Sequence, residues 1–90
     1  MLGKLLFLFD CSETARLIRR IGTPQLTISD LMGLLNALEH RRREMSFSQL
    51  WEVWHRSEAA LTSNLQSEQK ELLERLMRTA RFETQTRGRE

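Results

Sequence analysis

An all-α fold is what this sequence predicts: a small bundle of about four amphipathic helices, at roughly 11–21, 28–44, 47–62 and 68–82, preceded by an apolar N-terminal arm. Three observations carry that expectation. Apolar residues recur at spacings of three and four through each segment, the period that puts side chains on one helix face. Helix-start signatures precede the segments, and glycine or turn residues follow them. The single proline, Pro24, falls between segments, and the one run that could form a strand finds no second strand to pair with. Short loops between helices of this length make a bundle. With 90 residues there is room for one domain, read as 1–82, followed by a polar tail at 83–90 expected to fray.

The first helix opens on Asp10 and Glu13, the reciprocal form of a capping box, and buries Leu17, Ile18 and Ile21 with Thr14 one turn earlier. Gly22 ends it as a left-handed cap, and Thr23-Pro24 prevents its resumption. Residues 1–9 read two ways. As a helix or irregular arm they place Leu2, Leu5, Leu6 and Phe9 on one face; as a strand they would require pairing with a second chain. The arm is the preferred reading.

The second helix opens at Thr27 or Ser29, with Asp30 in its first turn, and its face carries Ile28, Leu31, Met32, Leu34, Leu35 and Leu38. Gly33 in mid-helix costs about 1 kcal/mol against alanine, which close approach of a neighbouring helix would offset. His40 to Arg43 place cations at the negative helix end. The third start pairs Ser46 with Gln49 in a capping box, with Met45 and Leu50 as a hydrophobic staple. Its apolar face is Phe47, Leu50, Trp51, Trp54 and Leu61, with Val53 at the edge. Phe47 and Trp54 are expected in the core and Trp51 at its margin. Ser67 is expected to cap the last helix, with Glu68 and Glu71 in the first turn and Arg75, Arg78 and Arg81 further on. Leu72, Leu73, Leu76, Met77 and Ala80 form its buried face.

Composition narrows the function classes. One cysteine excludes an internal disulfide framework and a zinc site of several thiolates. The apolar run from Leu5 to Phe9 is far too short to span a bilayer, and it stops at Asp10, too soon for a secretory signal. A cytoplasmic protein with a reduced Cys11 and no membrane partner is expected. Twelve of the fourteen cations are arginine, but twelve acidic residues leave a net charge of only +2, too little for a strong attractive field.

Several constellations invite chemistry and resist it. Arg41, Arg42 and Arg43 could grip phosphate or an acidic protein, yet successive helical residues point about 100° apart, and Glu39 stands one turn before Arg43. Arg16 and Arg20 share a face, with Arg19 beside them. A helix-turn-helix outline through Gly22 fails because its recognition helix is apolar from Leu31 to Leu38. Glu52-x-x-His55 has the spacing of a di-iron ligand pair but lacks the other ligands. Cys11 sits at a helix start, where Asp10 and Glu13 oppose thiolate formation. No nucleophile elbow, phosphate-binding glycine loop or zinc spacing is present. No enzyme, cofactor or metal is therefore expected.

What remains is surface. The arm (Leu5, Phe7, Phe9), the edge of helix three (Trp51, His55) and the arginine ends (Arg41, Arg42) offer more apolar and planar contact area than a small core hides. The expected function is a small protein-binding regulator or adaptor, inhibitor or chaperone-like, of bacterial or phage type, whose partner is another protein or a second copy. The alternative is a nucleic-acid-binding transcriptional regulator using Arg16, Arg19, Arg20, Arg41, Arg42 and Arg43. A structural subunit of a homo-oligomer is the third.

Overall fold

The computed structural model describes residues 13–88, and these form four helices with no strand among them. Helix α1 covers 13–20 of the described residues, α2 spans Ile28–Arg41, a 3-10 turn follows at Arg42–Glu44, α3 spans Phe47–Ala60 and α4 spans Ser67–Gly88. The apolar arm with Leu5, Phe7 and Phe9, the cap at Asp10, and Cys11 all lie outside the described residues.

Helix boundaries follow local chemistry. Gly22 takes φ +88°, the left-handed conformation a side chain resists, and the turn is closed by Thr23, whose backbone N–H and hydroxyl both donate to the Arg20 carbonyl at 3.0 and 2.7 Å. Of the two candidate starts for α2, Thr27 is the cap. Its hydroxyl accepts from the Asp30 backbone N–H, and the Asp30 carboxylate accepts from the Thr27 N–H, each at 3.1 Å. Ser46 and Gln49 repeat that reciprocal pair at the start of α3, and the staple residues Met45 and Leu50 are both buried.

Five boundaries differ from the expected ones, two of them slightly: α1 ends at 20 and α3 at Ala60, short of the expected 21 and 62. The α-helical part of α2 ends at Arg41, and residues 42–44 tighten into the 3-10 turn that redirects the chain. Ser67 lies inside α4, because the hydrogen-bond ladder already begins with Lys70 donating to the Gln66 carbonyl at 2.9 Å. The larger correction concerns the tail. Residues 83–88, expected to fray, continue α4 to Gly88. Thr84 is buried and donates its hydroxyl to the Ala80 carbonyl, while Arg87 donates to the carbonyls of Met45 (2.6 Å) and Arg42. Glu83 bridges Arg87 and Arg42. Tertiary contacts thus hold a segment with no apolar face.

The core gathers Ile18 and Ile21 before the Gly22 turn, Leu26 from the following loop, Leu31, Leu34, Leu35 and Leu38 from α2, Met45, then Leu50, Val53 and Ala60 from α3 and Leu73, Leu76 and Ala80 from α4. Helix α4 is the common element, packed on both α2 and α3. Gln69 near its start donates to the Leu26 carbonyl just ahead of α2, and Arg87 near its end reaches the turn just after α2. Helices α2 and α4 therefore run in the same general direction, and α3 returns against them. Leu17 of α1 approaches Gly33, where an added Cβ would lie 3.6 Å from Leu17 Cδ1. The expected close approach is present, though at ordinary van der Waals distance.

Candidate functional site: the aromatic flank of α3

Helix α3 buries Leu50, Val53, Ser57 and Ala60, and that set fixes which way the helix faces. Small side chains at 57 and 60, with Ala80 on α4, narrow the buried face. Phe47, expected in the core, consequently lies on the flank and is 49% exposed, with Trp51 one turn later at 50%. Trp54 is only partly buried against the core. The apolar pattern thus misplaced the centre of the face: Val53, expected at its edge, is fully buried, and the face turns toward Val53 and Ser57 and away from Phe47.

The flank is ordered by ring contacts. His55 packs against Trp51 with ring centroids 4.0 Å apart and stacks on Trp54 at 4.4 Å and 24°. The imidazole thus packs against both indoles, including the exposed Trp51. The Trp54 indole nitrogen is buried and finds no acceptor among the described residues. Beside this cluster is an open depression of about 470 Å³ lined by Ser48, Trp51, Glu52, His55 and Arg56. Glu52 and Arg56 pair with each other at 2.9 Å, so the charges nearest Trp51 cancel locally. Glu52 and His55, considered above as a metal pair, are thereby engaged with an arginine and with two rings; no group of three or more His, Cys, Asp or Glu suited to a metal occurs among the described residues.

The arginines nominated by sequence are dispersed. Arg16 pairs with Glu13, and Arg20 lies 3.3 Å from Asp30 between α1 and α2. Arg41 pairs with Glu44 at 2.8 Å, and Arg42 lies 3.8 Å from Glu83 of α4. Neither Arg19 nor Arg43 forms an ion pair among the described residues; Glu39, expected beside Arg43, instead meets Arg75 across the α2–α4 interface at 2.7 Å. Carboxylates beside four of the six candidate phosphate contacts weaken the local positive field. The buried row Leu31, Leu34, Leu35 and Leu38 likewise commits α2 to the core rather than to a groove of DNA. Of the protein-contact candidates, Trp51 and His55 are brought together, whereas Arg41 lines a depression with Glu13, Asp30 and Asn36 on the α1–α2 side and Arg42 turns to Glu83 of α4.

Met32, expected on the apolar face of α2, is instead 59% exposed, and Phe82, which the apolar spacing did not single out, is 68% exposed. Phe82 could have been noticed as the one large apolar residue in the polar run after Ala80, out of phase with Leu73, Leu76 and Ala80.

No helix among the described residues is long and apolar enough to cross a membrane. Compared with protein-family models, curated proteins and solved structures, this small all-α bundle matches none.

Proposed function

We propose that the chain is a small protein-binding regulator or adaptor, inhibitor or chaperone-like in manner and without catalysis of its own, that engages another protein through the flank of α3. The observation that carries this reading is Trp51: half exposed, braced by His55, preceded by exposed Phe47, and bordered by an internally neutralised Glu52–Arg56 pair. An exposed tryptophan packed against a neighbouring ring gives a partner a large apolar contact, and tryptophan is enriched among the residues that dominate interface energies.

Affinity capture from the native host with the wild-type chain, Trp51→Ala and a control on the far side, Asn36→Ala, tests it. The expected result is a captured protein retained by the control and reduced at least about tenfold by Trp51→Ala, the loss associated with a central interface tryptophan. A protein captured equally by all three folded chains would contradict the reading.

A further inference from the structure

The outward face of α4 carries Glu68, Glu71, Arg75, Arg78 and Phe82 at spacings of three, four, three and four, and all five are exposed. Such a row forms one seam along a helix, about 22 Å long at 1.5 Å per residue. Its charge is divided: acidic in the first half and basic in the second. The two glutamates make no ion pair among the described residues, whereas Arg75 and Arg78, with side chains 63% and 66% exposed, reach sideways to Glu39 and Glu74. Beside the seam, between α2 and α4, runs an open groove of about 690 Å³ with Met32 and Leu72 on its walls. Met32 is largely exposed there, at 59%.

We infer that this face binds a second copy of the same chain, with the two α4 helices antiparallel about a two-fold axis close to residue 73. Antiparallel pairing about that point sets each Glu68 against the second copy's Arg78 and each Glu71 against its Arg75. Twofold symmetry makes every such contact occur twice, giving four opposite-charge contacts and no like-charge one along the seam. A seam divided into an acidic and a basic half is complementary to its own reverse, and a parallel pairing would place like charge on like charge. Met32 and Leu72 of both copies then flank the middle of the contact, and the charges surround this apolar centre. Arg75 keeps Glu39 while gaining Glu71 of the other copy. This surface is separate from the α3 flank, so its failure would leave the proposed function standing.

Sedimentation velocity on the full chain, at about 50 mM and about 500 mM salt, tests the inference alongside three charge variants. The wild type is expected to self-associate at low salt and to weaken at least tenfold at high salt, since exposed pairs are screened. Glu68→Arg with Glu71→Arg, and separately Arg75→Glu with Arg78→Glu, should each be monomeric. An equimolar mixture of the two should restore a dimer, because every contact along the seam is again opposite in sign. Met32→Asp should weaken the wild-type dimer without altering helicity. A wild-type monomer at low salt, dimers that persist in both charge variants, or a mixture that stays monomeric would each overturn the inference. The salt series needs no substitution, so misfolded variants would not shield it.

Discussion

Asp30 joins two helices at the scale of single residues. Burial raises its carboxyl pKa, but the hydrogen bonds from Thr27 and the guanidinium of Arg20 outweigh that effect and hold it below the ordinary 3.8. A carboxyl depressed in the folded state adds stability that is present above its unfolded pKa and is lost as pH falls through the folded one. Asp30→Asn should therefore destabilise the chain to urea at neutral pH, and the difference from wild type should shrink below about pH 3.8. A gap that stays constant down to about pH 2 would deny Asp30 this electrostatic part. Ser57 offers the opposite case. It is fully buried on α3 and its hydroxyl has no partner among the described residues. Ser57→Ala removes an unsatisfied group and improves helix propensity, so a gain of about 1 kcal/mol is expected, read as a Tm rise of roughly 4–8 °C. Both capping boxes and the Gly22 turn involve residues within a few positions of one another, and short-range chemistry of that kind is readable in sequence. Ser57 was not singled out, because a polar side chain carries no apolar signal even though it falls in phase with Leu50, Val53 and Ala60.

Element boundaries were readable where a local signal sets them and obscure where tertiary contact does. Ser46 fixed the start of α3 to the residue. The end of α4 carried no such signal, since Glu83 to Gly88 are all polar or glycine and their anchors, the Arg42 and Met45 carbonyls, lie more than forty positions away. Removing residues 83–90 thus discriminates between a frayed tail and a held helix end. Loss of the buried Thr84, the two hydrogen bonds of Arg87 and the Glu83 bridge should cost about 2–3 kcal/mol, and Arg87→Ala alone about 1–2, by chemical denaturation. A truncated chain as stable as the full one would show that these contacts contribute nothing. The salt bridges follow the same logic. Arg78–Glu74 and Arg56–Glu52 are four residues apart and obvious, whereas Arg75–Glu39 crosses between helices and displaced the local Glu39–Arg43 pairing.

For the molecule as a whole, helix number, order and most of the leucine and isoleucine core came through from apolar spacing, because burial on one face is what that spacing encodes, while Phe47 and Met32 were placed inward and are exposed. The surface was half readable. Trp51 was marked as marginal and His55 as its neighbour, but the exposure of Phe47 and the seam on α4 were missed. On α3 the large aromatic side chains drew the expected face toward Phe47 and Trp54, whereas packing centred it on Leu50, Val53 and Ser57. Charge in the seam was read as complementing the helix dipole, which it also does.

The central claim is that Trp51 on the flank of α3 is where a partner docks. A chain carrying Trp54→Phe leaves Trp51 as its single tryptophan, so the fluorescence of that residue reports on the flank alone. Titration with the captured partner, itself labelled to saturation with non-fluorescent tryptophan analogue, should shift the Trp51 emission to the blue and shield it from a soluble quencher as water leaves the indole. Saturable binding that leaves the emission maximum and quenching of Trp51 unchanged would contradict the claim.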